Sequence, residues 1–316
     1  IGSGPASTIL TPTVACTGDG ISIGVANVNI SNLAVTGFNY GIRTSSSTIN
    51  LYNVESNSNC QYGINTGNGT NGLSIIKCKF NNNNVGGWRA GTGDNVSNVL
   101  MDSSEVKSNG TTLNGFGIFI AAGTPAANTF DYITIKNSDF SNNLEKGMYF
   151  EKLRHALIDN VVIDNSGVDP NYGFNNGIDI NLKYDSYSDI TIQNSTITNC
   201  GSMGTASAIN NPSALAIKAR DDSPSYNTDP ASLSGFVMMN NYISGPVNGL
   251  RIGEFNKVNS SPTGITVTNN DFGNSYSNNA VLNTTSNTGI NISCNWYNTT
   301  NNSVIAGLHS NIASYT

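Results

Sequence analysis

Two short stretches of the sequence decide the fold: GIDINLK at residues 177–183 and ITIQNSTI at residues 190–197. In each, apolar residues alternate with polar ones, which is the pattern of a β-strand with one buried face. A polar corner at Asn194 separates the second strand from the next apolar residue, Ile197. The same pattern recurs before and after these stretches, so the sequence predicts a repeat protein.

Aligned on the corner residue, the repeats form three columns of like residues. The corner column consists of Asn32, Asn53, Lys77, Ser103, Asn137, Asn160, Asn194, Asn240, Asn269 and Cys294. Three residues further on lies an apolar column of Val35, Phe80, Val106, Phe140, Ile163, Ile197, Ile243, Phe272 and Tyr297, which Ser56 interrupts. A third, inward column is Ile42, Ile64, Trp88, Ile118, Met148, Ile178, Leu215 and Leu250. Repeats of roughly 21 to 46 residues with such columns predict a parallel β-solenoid, because stacking buries the inner face that one rung leaves open.

The corner column is rich in asparagine, which tolerates the left-handed backbone region and can bond to an equivalent amide one rung away. We therefore expect Asn137 and Asn194 to be buried and bonded to neighbouring rungs. The sequence lacks the tight antiparallel hairpins of a β-propeller or jelly roll and the helical periodicity of an α/β fold. The predicted fold class is all-β: a single right-handed parallel β-helix of about ten rungs over residues 1–316, with no helical domain.

The composition argues against several classes of protein. Charged residues make up 11% and the net charge is −6, whereas a nucleic-acid partner would require a basic face. No apolar stretch is long enough to span a bilayer, and no signal peptide is present. The chain opens at Ile1, and no capping helix precedes Ile21. We therefore expect a segment of a larger protein, with neighbouring domains or a partner covering the first rung.

The five cysteines leave at least one without a disulfide partner. They show no CxxC spacing and the chain has only two histidines, so no metal site of the zinc type is expected. We interpret most of the cysteines as small buried hydrophobic residues, and His155 as a surface residue.

No cofactor is predicted, but calcium stays open as an alternative. Oxygen ligands for it would come from Asp179, Asp185, Asp221, Asp222 and Glu254. No twelve-residue calcium loop is present, and aspartates that form turns explain the same pattern.

Charged residues are scarce in this chain, yet many fall on the outward side of the strands that follow the Gly-Ile pattern. That outward column reads Arg43, Asn65, Arg89, Phe119, Tyr149, Asp179, Ala216 and Arg251, with Glu151, Asn181 and Lys218 two residues on, and Lys183 and Arg220 two further. The longest insertions flank these repeats, at residues 166–176, 201–213 and 221–234. Long loops beside a rigid sheet form a groove, so a functional site is predicted here. The alternative is an exposed face that carries solvated charges.

The asparagine corner, the Gly-Ile strand and the varied loop lengths resemble the right-handed parallel β-helix of the pectin-lyase-like superfamily. The ending, from Ile292 onwards, resembles the last rung of large secreted bacterial β-helix repeat proteins. The resemblance implies the fold over nearly the whole chain. It implies little about activity, because this fold hosts lyases, hydrolases, epimerases, adhesins and phage spikes.

Two functions are compatible with these observations. The favoured one is a secreted or cell-surface module for glycan binding, adhesion or structural display, because the surface is rich in Asn, Ser and Thr and no catalytic motif is complete. Its partner would be a polysaccharide or a cell-surface glycan. Its predicted binding residues are Glu151, Asn181, Lys183, Arg220 and Arg89.

The alternative is a lyase or epimerase that acts on an acidic, uronic-acid-containing polysaccharide. Lys218 would be the base, Arg220 and Arg251 would neutralise the substrate carboxylate, and Tyr149 would be the acid, with Asp179 beside them. The distinguishing feature is whether Tyr149, Asp179, Lys218 and Arg251 converge in one groove. Hydrolysis by paired carboxylates is less favoured, because the only consecutive pair, at residues 221–222, lies in a loop.

Overall fold

A computed structural model describes residues 2–111, 114–123, 129–257, 259–260, 262–273, 275–287 and 289–315. Within these residues the chain forms short strands and one short helix. In chain order the elements are β1 (Ile9–Leu10), β2 (Asp19–Ile23), β3 (Val28–Thr36), β4 (Tyr40–Thr44), β5 (Ser47–Asn57), β6 (Tyr62–Thr66), β7 (Thr70–Ile76), β8 (Gly86–Ala90), β9 (Val96–Asp102), β10 (Phe116–Ile120), β11 (Phe130–Lys136), β12 (Lys146–Phe150), β13 (Arg154–Asp159), β14 (Val162–Asp164), β15 (Asn176–Leu182), β16 (Ser186–Gln193), β17 (Thr196–Thr198), β18 (Ser213–Ala219), β19 (Ser232–Met239), β20 (Tyr242–Ser244), β21 (Asn248–Ile252), β22 (Thr263–Thr268), β23 (Asp271–Phe272), β24 (Asn279–Asn283), α1 (Asn302–Gly307) and β25 (His309–Ser310).

The strands form three parallel sheets that run along the molecule. The ten-stranded sheet has the order β1-β3-β5-β7-β9-β11-β13-β16-β19-β22, and the eleven-stranded sheet has the order β2-β4-β6-β8-β10-β12-β15-β18-β21-β24-β25. A four-stranded sheet, β14-β17-β20-β23, lies at the corner after the asparagine column. Because each strand pairs with its equivalent in the next repeat, the predicted parallel β-helix of about ten rungs is confirmed.

The interior of the solenoid is the stack of apolar columns predicted from the sequence. Ile118, Met148 and Ile178 are aligned in register across three neighbouring strands and are fully buried. Trp88 belongs to the same column, and its Nε1 donates to Thr66 Oγ1 at 3.0 Å. The apolar column after the corner is also buried from end to end. Each inner face is therefore covered by the rungs above and below it.

The corner asparagines lie outside the core, and the prediction that Asn137 and Asn194 are buried is wrong. Both adopt positive φ, at 50° and 53°, but their side chains are exposed. The left-handed residue turns the chain so that its own side chain points outward, and the next residue, Ser138 or Ser195, points inward. The expected contact between rungs does form on the surface, where Asn160 Nδ2 donates to Asn137 Oδ1 at 2.8 Å.

A second, buried asparagine ladder lies at the next turn of each rung. Asn59 donates from Nδ2 to Asn83, Asn83 to Asn109, and Asn109 to Asn143, at 3.0, 3.1 and 2.9 Å. All four side chains are fully buried. Each donor in this ladder points to the rung that follows in sequence, whereas each donor of the exposed corner ladder points to the rung before it. The two ladders therefore run in opposite directions.

The cysteines divide into one bonded pair and three free thiols. Cys16 and Cys60 form a disulfide, which the sequence did not predict. The interpretation as buried hydrophobic residues holds for Cys78 and Cys200, whereas Cys294 is exposed. Among the described residues no helix is long and apolar enough to cross a membrane.

Candidate functional site

The outer face of the eleven-stranded sheet carries the predicted outward column in register. Strand pairing aligns Tyr149 with Asp179, Asp179 with Ala216, and Ala216 with Arg251. Asn181 pairs with Lys218 in the same way. The four residues of the lyase alternative therefore lie within a few rungs of one another.

The floor of the site is a chain of buried charges centred on Asp179. Lys146 Nζ lies 2.6 Å from Asp179 Oδ2, and Lys218 Nζ lies 3.4 Å from Asp179 Oδ1. Lys218 also lies 2.5 Å from Glu254 Oε2. Side-chain exposure is 2% for Lys146, 1% for Asp179 and 3% for Lys218. The alternative of solvated charges is therefore wrong at this floor, because the flanking loops exclude water from it.

The charges at the floor shift one another's protonation equilibria. Burial alone would raise the pKa of Asp179, but the ammonium groups of Lys146 and Lys218 hold it well below its usual value. Burial opposes ionisation of Glu254 in the same way, and the nearby Lys218 and Arg251 lower its pKa to about 2. Both carboxylates are therefore ionised at neutral pH.

The two lysines respond differently although both contact Asp179. Burial acts to lower the pKa of Lys146, but the charge of Asp179, its hydrogen bond to Lys146 and the charge of Glu254 together outweigh burial and raise it. The pKa of Lys218 is lowered, first by burial and then by the neighbouring cations Arg251 and Lys146. Its contacts with Asp179 Oδ1 and Glu254 Oε2 are ion pairs without hydrogen-bond alignment. Lys218 is thus the cation at the floor that most readily loses a proton.

Arg251 lies beneath the floor rather than in the cleft. Its side chain is fully buried; Nε donates to the carbonyl of Asn211 at 3.1 Å, and Nη1 donates to the carbonyl of Gly253 at 2.6 Å. Nη1 is also 3.6 Å from Glu254 Oε2. These contacts tie the loop at residues 201–212 to the turn that carries Glu254.

Tyr149 belongs to a second cluster of polar side chains beside the floor. Its hydroxyl donates to Glu151 Oε1 at 2.7 Å and accepts from Asn181 Nδ2 at 2.9 Å. Lys183 completes the group by an ion pair with the same Glu151 oxygen. Burial, followed by the charge of Glu151, raises the pKa of Tyr149 well above its usual value, so the phenol stays protonated. Asn181 Oδ1 is buried without a hydrogen-bond partner among the described residues.

Loops form the walls of a cleft above this floor, with a cavity of about 200 Å³. Tyr172 and Phe174, from the loop between β14 and β15, line one side. The Lys146 ammonium lies over the rings of Tyr149 and Tyr172, at 3.9 and 5.6 Å from their centroids. Arg220 lines the other side, held by a two-bond contact with Asp222 at 2.6 and 3.0 Å.

The predicted site residues fall into two groups by position. Six of them line the cavity: Tyr149, Asp179, Asn181, Lys183, Lys218 and Arg220. Glu151 is bonded to two of these, Arg251 lies beneath them, and Arg89 lies three strands away on β8. Sequence reasoning missed Lys146, Tyr172 and Phe174, and named Glu254 only as a calcium ligand. Lys146 could have been noticed as a lysine directly before the glycine of the repeated Gly-Ile-type pattern in β12, but its burial depends on loops.

The five carboxylates considered for calcium are not gathered around one point. Asp179 and Glu254 are bound to Lys218, and Asp222 is bound to Arg220. Asp185 contacts Arg154 at 2.6 Å, and Asp221 accepts from the Ser260 backbone at 3.0 Å. Across the described part of the chain, no group of three or more His, Cys, Asp or Glu side chains is placed to hold a metal ion.

Comparison with known proteins adds a structural neighbour. No family model and no curated protein matches the sequence. A solved structure of a variant catalytic domain of a GH87 alpha-1,3-glucanase, in complex with tetrasaccharides, matches with a TM-score of 0.65 at 14% identity. The match covers 100% of this chain, which spans 59% of that neighbour's length. At this identity the likeness shows the fold alone, a right-handed parallel β-helix.

Proposed function

We propose that the protein binds a polysaccharide in the cleft on the eleven-stranded sheet. The observation that carries the proposal is that Tyr149 and Tyr172 flank the buried Lys146–Asp179 pair. Binding sites for small polar ligands combine apolar and aromatic walls with a few fixed polar groups. Here the Tyr149 and Tyr172 rings offer apolar edges to sugar rings, and the Asn181 side chain, whose Oδ1 has no hydrogen-bond partner among the described residues, lines the cavity beside them.

The charge balance of the cleft favours neutral sugars at its floor. Each lysine and arginine that lines the cavity already contacts a carboxylate within 4.0 Å. A lyase or epimerase needs a cation that is free to neutralise the carboxylate of a uronic acid. Of the two arginines predicted for that task, Arg220 is bound to Asp222, and Arg251 is fully buried beneath the floor, where Nε and Nη1 donate to backbone carbonyls. The structural neighbour, which is described as an alpha-1,3-glucanase, also supports a neutral chain.

Cleavage of a glycosidic bond is a second candidate, favoured by the positions of two carboxylates. Asp179 and Glu254 both contact the Lys218 ammonium, so the two contacting oxygens are at most about 6 Å apart, an upper limit that includes the spacing in retaining glycosidases. Both are ionised and can stabilise positive charge at an anomeric carbon. When the bond from the anomeric carbon to the leaving oxygen breaks, that oxygen would take a proton from Lys218, whose pKa burial lowers. Water would then form the new bond to the anomeric carbon and return a proton to Lys218.

We place this function outside the cell or on its surface. The Cys16–Cys60 disulfide supports this placement, because disulfides persist in oxidising compartments. Adhesion or structural display by the same solenoid would use the same glycan contacts.

The test is a binding panel of neutral glucans, including alpha-1,3-linked oligosaccharides, together with pectate and alginate. Calorimetry measures affinity, and reducing ends and ultraviolet absorbance of unsaturated sugars measure turnover. Replacement of Tyr149 by Ala should weaken binding about three- to tenfold through loss of the ring contact. Tyr242→Ala, which removes an exposed tyrosine on β20, is the matched control and should bind normally.

Each outcome decides between the candidates. No binding to any member of the panel, or equal effects of the two tyrosine variants, overturns the proposed site. New reducing ends that disappear in Asp179→Asn, with binding retained, support cleavage. Unsaturated product from pectate or alginate would instead establish the lyase and contradict the preference for neutral sugars.

A further inference from the structure

Arg89 differs from the other cations on the cleft face because it has no carboxylate partner. Of the 14 lysines and arginines, all but three lie within 4.0 Å of an Asp or Glu side chain among the described residues. Lys152 is buried and donates to the carbonyl of Asp94 at 2.5 Å, and Lys77 lies at an exposed corner beside Tyr52. Arg89 is thus the cation on this face that remains available to an anion.

The guanidinium of Arg89 is held by two contacts, but most of its N–H donors are free to bond to a ligand. Nη1 donates to Asn65 Oδ1 at 3.3 Å, and the group lies 5.8 Å from the centre of the Tyr62 ring. Its other N–H groups have no partner among the described residues, and the side chain is half-buried. The nearby Asp94 carboxylate accepts the Gly91 N–H at 2.5 Å and is too far from Arg89 for an ion pair.

An aromatic platform connects Arg89 to the floor of the cleft. Register places Arg89 beside Phe119, Phe119 beside Tyr149, and Tyr149 beside Asp179. The rings of Phe119 and Tyr149 are stacked, with centroids 5.4 Å apart and planes 3° apart. Three strand spacings put Arg89 about 14 Å from Asp179 along the solenoid. A sugar chain lying along the edges of these two rings would therefore reach the guanidinium.

We propose that Arg89 binds an oxyanion substituent of the bound polysaccharide: a carboxylate, sulfate or phosphate carried by a sugar beyond the aromatic platform. A planar guanidinium with several free donors matches such a group by paired, charge-assisted hydrogen bonds. The inference rests on the proposed function, and it adds a charged end to a cleft whose floor suits neutral sugars. Specificity would then come from the distance between the Arg89 guanidinium and the floor of the cleft.

The first test examines Arg89 without any polysaccharide. In protein with labelled arginine, the Nε–H resonance of Arg89, assigned through Arg89→Gln, is followed by NMR during titration with glucuronate, glucose 6-sulfate and glucose 6-phosphate. Sodium chloride at equal ionic strength is the blank. We expect a saturable shift with one or more of these anions, which also identifies the oxyanion. No shift, or the same shift at Arg154 on the other sheet, overturns the proposal.

The second test uses the neutral glucan that binds best and its chemically sulfated or carboxymethylated derivative. The derivative should bind the wild-type protein about tenfold more tightly than the parent glucan. Arg89→Gln should lose this preference, and Lys77→Gln, which removes another cation without a carboxylate partner, should keep it. Equal affinity for parent and derivative overturns the inference and leaves the Tyr149 result untouched. If no polysaccharide binds, the proposed function fails and the small-anion titration alone decides the role of Arg89.

Discussion

The ion pairs of this protein occur in two settings, the floor of the cleft and the outside of the corner that leads into the four-stranded sheet. At the corner, Lys107 lies 3.2 Å from Asp139, and the two side chains are 30% and 33% exposed. At the floor, the corresponding exposures of Lys146 and Asp179 are 2% and 1%. The N–O distances of the two pairs are 3.2 and 2.6 Å, so the pairs differ mainly in how far water reaches them.

This difference in burial separates ion pairs that contribute little to the free energy of folding from ion pairs whose burial is unfavourable. An exposed pair contributes about 0–1 kcal/mol, since water screens it. A buried pair loses hydration worth several kcal/mol per ion, and the attraction between the partners only partly restores it. Solenoid stacking needs neither, because the apolar columns supply the core. The proposed binding role would account for the buried charges at the cleft, which solenoid stacking does not.

The sharpest test of this comparison is Asp179→Ala. The substitution leaves two buried ammonium groups, Lys146 and Lys218, without their shared carboxylate. We expect a loss of about 3–5 kcal/mol in the free energy of unfolding, measured by urea denaturation. Asp139→Ala at the exposed corner should lose less than about 1 kcal/mol. Equal losses in the two variants would mean that the settings do not differ.

Acid titration gives the next largest effect, through Glu254. The folded-state pKa is about 2, below the ordinary value of 4.5, so ionised Glu254 stabilises the folded protein above pH 4.5. This contribution is lost as the pH falls from 4.5 towards 2, and it amounts to on the order of 3 kcal/mol. The wild-type protein should therefore lose more stability over this range than Glu254→Gln does. Parallel pH profiles for the two proteins would contradict the lowered pKa.

The two asparagine ladders offer a smaller version of the same contrast. Asn109→Leu removes buried bonds to Asn83, Asn143 and the Phe80 carbonyl, and should cost about 1–3 kcal/mol. Asn137→Gly removes an exposed ladder amide while keeping a residue that accepts positive φ, so the expected loss is below about 0.5 kcal/mol. Thermal melting of both variants checks the order. A larger loss at residue 137 would reassign the structural role to the surface ladder.

The smallest expected effect is that of Lys107→Ala. Its two partners, Glu105 and Asp139, are partly exposed and already hydrated. The variant should unfold within about 1 kcal/mol of the wild-type protein, and added salt should reduce even this difference. A loss comparable to that of Asp179→Ala would show that the exposed ion pairs at the corner carry stability.

The periodic part of the structure could be read from the sequence. Columns of Ile, Phe and Asn fix which residues share a rung, so the register of Ile118, Met148 and Ile178 followed directly. The corner asparagines were placed correctly in sequence but on the wrong side of the backbone. Their left-handed φ turns them outward, and pattern alone does not distinguish the turning residue from its inward neighbour.

The candidate site could be predicted only in part, because it is buried by loops that do not follow the sequence repeat. The outward column identified Tyr149, Asp179 and Lys218, since strand register brings them together. Tyr172 comes from a loop of unique length, so no column includes it. The depth of Asp179 depends on the same loops, and the sequence therefore indicated an open groove of solvated charges as readily as a closed floor.

The opposite directions of the two asparagine ladders have an electrostatic consequence. Hydrogen-bonded amides in a row polarise one another, and aligned dipoles sum to partial charges at the ends of the row, as they do in a helix. The buried ladder from Asn59 to Asn143 and the surface ladder through Asn137 point opposite ways along the same axis. The corresponding ends of the two rows therefore carry partial charges of opposite sign, and water screens those of the surface row more strongly.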